Sequence, residues 1–216
     1  MPPADANPDG ACPMLTRRRL LLLGATALVA ANLPLQALAA PADQASSFIT
    51  ALGRDLTAVV NAPGALAQKQ AALGRIVDGS VDLDDIARFC LGRFWRGATP
   101  QQQRDYTEVF HRVLQQNVTG KVGDYQGVTF TVNRAAPRDE NTVVTTTVTR
   151  PNNEPNRVDW IVNTTSGAPK IIDVIAEGTS LRLTQRSDYA AFLARNGNNV
   201  QALIDAMRQQ VANPPG

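Results

Sequence analysis

The chain has 216 residues, with 21 basic and 19 acidic side chains, one histidine and two cysteines. Residues 1–39 carry three of the arginines and two of the aspartates, so the other 177 residues hold 18 basic and 17 acidic groups and are almost neutral. That balance argues against nucleic acid as a partner, because phosphate binding needs a concentrated basic face, and against constitutive adsorption to anionic membranes. The first element in chain order is an export address. Arg17-Arg18-Arg19 precedes an apolar run from Leu20 to Ala31, and Ala37-Leu38-Ala39 offers small residues for cleavage before Ala40. The run is short of the ~20 residues a bilayer span needs. Thr16-Arg17-Arg18-Arg19-Leu20-Leu21 fits a twin-arginine signal as well as an ordinary Sec signal. Met14 is a second candidate start. Residues 40–216 then form one domain of ordinary size. Cys12 leaves with the signal, so Cys90 stands alone, which leaves no disulfide and no metal cluster.

Phe48, Ile49, Leu52, Leu56, Val59 and Val60 recur at helical spacing, and Asn61-Ala62-Pro63-Gly64 breaks that helix. A second helix is predicted from about Leu66 to Val77, ending near Gly79. A third carries Leu83, Ile86, Ala87, Cys90 and Leu91 behind a cap at Asp82. Thr99-Pro100-Gln101-Gln102 is a helix start with a capping box, leading into the stripe Tyr106, Val109, Phe110, Val113, Leu114 and a stop at Gly120. After Tyr125 the period changes to two. Val128, Phe130 and Val132 alternate with threonines, Thr142–Thr149 is dense in Val and Thr, Val158, Trp160 and Val162 alternate, and Lys170–Ala176 is a fourth strand. Pro137–Asn141, Pro151–Pro155 and Thr164–Pro169 read as hairpin turns. Helices at about Arg186–Arg195 and Val200–Val211 close the chain. The order is α+β: N-terminal helices, a four-stranded antiparallel sheet, then C-terminal helices.

Catalytic constellations are missing. His111 is the only histidine, and its helix position puts it beside Arg104, Glu108 and Gln115, opposite the apolar stripe, as a solvated surface group. No Gly-rich phosphate loop and no metal-ligand spacing occur. Asp173 sits on an apolar strand, where alternation groups it with Ile171 and Ile175 and sets Ile172, Val174 and Ala176 on the other face. It is either a general acid or base in a pocket or a structural partner of Arg93, Arg96 or Arg186. Glu177, Gly178 and Ser180 shape the turn that follows. Phe94-Trp95 is a core plug or a lip at a pocket mouth, and Trp160 is core or cavity wall.

Three motifs in order carry a resemblance: Leu91-Gly92-Arg93-Phe94-Trp95-Arg96, Thr99-Pro100, and Asp173-Val174-Ile175-Ala176-Glu177-Gly178-Thr179-Ser180. With the export signal in front, the chain resembles the MlaC (toluene-tolerance) family of periplasmic phospholipid carriers over about residues 45–210. Two positions depart from the family's pattern: Pro169-Lys170, where a Trp often precedes the basic residue, and Asn117, where an aromatic is common. The resemblance implies a curved sheet wrapped by helices, like the cone-shaped nuclear-transport-factor fold, with acyl chains in an internal apolar cavity. It implies a carrier in the periplasm of a Gram-negative bacterium that shuttles phospholipid between outer and inner membranes and so maintains lipid asymmetry. The implied partners are an outer-membrane lipoprotein complex and an inner-membrane ABC transporter with a lipid-binding ring. Phospholipid is cargo, with a hopanoid as the alternative, and no cofactor, metal or nucleic acid is implied.

Within that cavity, alternation and helical spacing nominate Phe48, Leu52, Phe130, Val144, Val148, Val158, Trp160, Val162, Ile171 and Ile175 as the lipid wall. Two other classes compete. An enzyme on the same fold would use Asp173 with Tyr106 or Tyr125 as acid and base, and a structural periplasmic adaptor would have a filled core.

Overall fold

The computed structural model describes residues 41–165 and 167–213; the export signal read at 1–39 lies outside them. Three helices come first: α1 (Pro41–Asn61), α2 (Leu66–Ser80) and α3 (Leu83–Leu91). The cap expected at Asp82 is present, its carboxylate accepting from Asp85 N at 3.0 Å. A 3₁₀ turn over Gly92–Gly97 carries Phe94-Trp95 into α4 (Pro100–Thr119). The α4 start has both halves of its capping box: Gln102 N donates to Thr99 Oγ1 and Thr99 N donates to Gln102 Oε1.

The strands are β1 (Thr129–Arg138), β2 (Asn141–Thr149), β3 (Asn156–Asn163), β4 (Lys170–Ala176) and β5 (Thr179–Ser180). They form one antiparallel sheet in sequential order. Five strands replace the four expected. Glu177 and Gly178 both take positive φ (53° and 77°), the two-residue loop that folds a chain straight back on itself, so Thr179-Ser180 pairs with β4. Pro137, read as part of a turn, lies inside β1, where an edge strand tolerates the missing N–H; the turn is Asp139-Glu140.

The chain ends with α5 (Leu181–Arg195) and α6 (Val200–Ala212). The first begins five residues earlier than the apolar spacing suggested. Ser180 is the reason: its hydroxyl accepts from Leu183 N at 3.2 Å and caps a first turn that has no apolar stripe of its own.

Two main cores result. The helical one joins α3, α4, α5 and α6 around Tyr106, Phe110, Tyr189, Leu193 and Ile204. The other lies between α1 and the sheet, around Ile49, Leu52, Val144, Val162 and Ile171. A smaller cluster of Val60, Leu73, Val122 and Val128 fastens α2 and the end of α1 to the start of β1. There Asn61 both accepts from Gly127 N (2.7 Å) and donates to the Val128 carbonyl (3.3 Å).

Candidate functional site

Strand alternation gives the sheet one apolar face toward α1. Across β2 and β3 the register pairs Thr142 with Val162, Val144 with Trp160 and Thr146 with Val158. On β1, Phe130 opposes Val148 and Val132 opposes Thr146; the register then slips at Asn133, and Ala135 opposes Val144. One extra residue restores the apolar side chain to the same face beyond the slip.

A second slip corrects the reading of β4. Ile161 opposes Asp173 but Val162 opposes Ile171, so Ile172 is the extra residue. The bulge inverts the parity assumed for this strand. Ile171 and Val174 face α1, while Asp173 and Ile175 face away with Ile161. Ile175 therefore leaves the nominated wall and Val174 takes its place. Of the other nine, Phe48, Leu52, Phe130, Val144, Trp160, Val162 and Ile171 meet in the core beneath α1. Val148 stands on the same face but packs into the Val60/Leu73 cluster, and Val158 is half-buried next to neither. Ile49, Val132 and Ala135 belong to the face and were not nominated. Ile49 was visible in the α1 stripe, whereas Ala135 is reached only through the Asn133 bulge.

Coverage of this face is uneven. The helix α1 lies chiefly over β1 and β2 and touches β3 lightly. Its Gly53 lets the Phe130 ring come so close that a Cβ there would stand 2.2 Å from Phe130 Cδ1. Phe130 in turn lies 6.1 Å from the Trp160 ring. Val144, Val162 and Ile171 are sealed, at 0–2% exposure. On this face Val158, Trp160, Val174 and Ala176 of β3 and β4 are only half-buried, as are Phe130, Val132 and Ala135 of β1. Its polar atoms are satisfied internally: Trp160 Nε1 donates to Thr146 Oγ1 (2.9 Å), which donates to the Val158 carbonyl (3.0 Å). A strip of hydrocarbon with no unmet hydrogen-bonding group suits an apolar chain and offers nothing to hold a polar substrate.

The residues weighed for catalysis are held apart by separate partners. Asp173 is buried, but its partner is not Arg93, Arg96 or Arg186. It accepts from Ser180 Oγ (2.6 Å), Val174 N (2.8 Å) and Arg182 N (3.1 Å), with the Arg182 guanidinium 3.6 Å away. That set locks the corner from β4 through β5 into α5. Tyr106 lies fully buried in the helical core and donates to the Ala87 carbonyl at 3.0 Å. Tyr125 lies beneath the Arg150 guanidinium. Burial raises the Tyr106 and Tyr189 hydroxyls above their ordinary range and pushes the Cys90 thiol up to about 12. His111 is partly covered, not freely solvated, because Nε2 meets the Asp84 carboxylate at 3.1 Å. Phe94 and Trp95 pack on the helical core, with Trp95 edge-on to Tyr106 at 6.5 Å. Two polar grooves of about 480 and 410 Å³ lie elsewhere, along α2 and α4 and around Asp82, Asp84 and His111. Among the described residues no helix is long and apolar enough to cross a membrane, and no cluster of three ligating side chains could hold a metal ion.

A family profile described as MlaC protein matches residues 50–209. The Toluene tolerance protein ttg2D of Pseudomonas putida is 30% identical over 143 residues, which is 65% of this chain and 66% of that protein's length. A phospholipid-binding protein from Ralstonia solanacearum, solved in complex with a phospholipid, superposes with a TM-score of 0.67 at 26% identity, covering 78% of this chain and 97% of its own.

Proposed function

From the premise that the chain belongs to the MlaC family, we propose that it binds phospholipid through its acyl chains and carries it between membranes. The observation that carries the reading is the apolar sheet face that α1 leaves half-covered at Val158, Trp160, Val174 and Ala176. The phospholipid held by the Ralstonia solanacearum relative supports it. The tails lie against that strip, with Phe48, Leu52, Phe130, Val144, Val148, Val162 and Ile171 forming the rest of the wall. The head group stays near solvent.

Burying about 30 methylenes from two chains is worth roughly 24 kcal/mol against water at ~0.8 each. A bilayer interior offers nearly the same. A carrier therefore needs only to match the membrane, and small differences at each docking partner set the direction of transfer. In this reading the protein works in the periplasm and serves lipid asymmetry. It exchanges cargo with an outer-membrane lipoprotein complex and an inner-membrane ABC transporter bearing a lipid-binding ring. It performs no chemistry on the lipid.

The test is native mass spectrometry of protein purified from the periplasm without detergent, followed by lipid extraction. A stoichiometric mass excess extracting as phospholipid is expected. Bare sequence mass, with no uptake of lipid from vesicles, would sink the reading.

A further inference from the structure

The seam where α3 ends and α5 begins gathers four arginines that lie over aromatic rings, of which only Arg182 also meets a carboxylate. Arg182 and Arg186 both lie over the Phe89 ring, their guanidinium carbons 4.3 and 4.8 Å from its centroid. Arg93 lies over Phe94 at 4.9 Å and Arg88 over Trp95 at 5.3 Å. The Arg186 guanidinium also fills the space beside Gly92, the residue before Arg93, where a Cβ would sit 3.2 Å from it. Gly92 has φ 58°, which a side chain would resist as well. Among the described residues Arg88, Arg93 and Arg186 take part in no ion pair. The acids nearest in sequence, Asp85 and Asp188, pair with none of them, and Asp173 is turned inward to Arg182. A ring holds a guanidinium by its face and leaves the N–H edge outward, the donor geometry that matches phosphate.

The same seam exposes two leucines. Leu181 and Leu183, in the first turn of α5, are 54% and 55% exposed, and Leu183 shares a helix face with Arg186 three residues on. They follow β4 by only a few residues, and β4 ends at the half-buried Ala176 of the apolar strip. Neither polar groove includes these residues.

We propose that the seam of Arg88, Arg93 and Arg186, with Leu183 beside it, is a docking surface for an anionic phospholipid bilayer. It rests on the carrier reading, which brings the protein to complexes embedded in two membranes. Exposed leucines beside the unpaired Arg88, Arg93 and Arg186 match an interface of phosphates over hydrocarbon, which requires no complementary shape. A near-neutral remainder keeps the contact weak and reversible, consistent with release after transfer.

Co-flotation of the purified protein with vesicles tests this. Binding is expected to vesicles of phosphatidylglycerol and phosphatidylcholine, weakened by added salt, and to be negligible on phosphatidylcholine alone. Arg93→Gln with Arg186→Gln should lower the partition about 25-fold, at roughly fivefold per arginine near the surface. Arg93→Gln alone, at an exposed position, should give about a fivefold loss if the double variant folds poorly. Arg134→Gln with Arg138→Gln, on the edge strand, should change nothing. Equal partition to both vesicle types, no partition at all, or undiminished partition in Arg93→Gln overturns the proposal. So does a seam that binds only an acidic protein. Native mass spectrometry on the same samples separates the two readings, because phospholipid bound by a protein that ignores vesicles sinks the docking surface and leaves the carrier.

Discussion

The helical half and the sheet half of this chain bury their apolar residues to different degrees. In the helical core 15 residues are fully buried and 7 partly; between α1 and the sheet the numbers are 6 and 9. The first is a closed core of the usual kind, with aromatic pairs such as Tyr106–Tyr189 and Phe110–Tyr189 meeting edge-on at 6.1 and 6.4 Å. The second has the composition of a core without the coverage, because a single helix cannot cover five strands. In the proposed reading the lipid site lies in the sheet half, while the helical half carries the closed core. One half can be packed to its optimum, and the other keeps apolar surface that only a further apolar partner would bury.

Four tests break or sharpen that contrast, from the largest expected effect on stability to the smallest, and a fifth variant serves as a comparison for the last. Leu193→Ala removes a side chain with 0% exposure from the helical core and should cost about 2–5 kcal/mol in chemical denaturation. Lipid bound per folded molecule should not change; a fall would mean the helical core also holds cargo. Gly53→Val drives a side chain into the Phe130 ring and should cost about 1–3 kcal/mol, less than Leu193→Ala because Phe130 borders the open face and can shift. A cost above that of Leu193→Ala would show that the sheet half is as tightly closed as the helical one.

The third concerns alkaline pH. Burial raises the thiol of Cys90 and the hydroxyls of Tyr106 and Tyr189, all in the helical core. The folded state therefore holds these protons after the unfolded chain has released them. Their contribution is complete below the ordinary values of 9.0 for the thiol and 10.0 for tyrosine, and is lost as pH rises beyond them. Stability should decline from about pH 9, and Cys90→Ala should remove the first part of that decline. Parallel decline in both proteins would count against burial of the thiol. The last is Val158→Trp, which should change stability by less than about 1 kcal/mol at a half-buried site while cutting lipid load. Val148→Trp should also lower load, but at about 1–3 kcal/mol, because Val148 packs into the Val60/Leu73 cluster. Full lipid load in a folded Val158→Trp protein would remove the β3–β4 strip from the site.

Much of this was legible in the chain. Helix starts at Asp82 and Thr99, the stripe of α4, the change of period after Tyr125 and the family motifs all read correctly, because caps and periodicity are set by residues within a few positions of one another. Seven of the ten nominated wall residues meet beneath α1 for the same reason, since alternation holds along any unbroken strand. Failures came where a distant residue decided. The bulge at Ile172 exists only in the pairing of β4 with β3, and it exchanged Ile175 for Val174. Asp173 found Ser180 and Arg182 instead of a more distant arginine because the Glu177-Gly178 turn folds the chain back within reach. The sequence by itself determined the elements and which side of each is apolar. Only the tertiary structure decided how much of that apolar surface is covered, because coverage depends on where α1 crosses the sheet, and that is set by contacts such as Gly53 on Phe130, 77 positions apart.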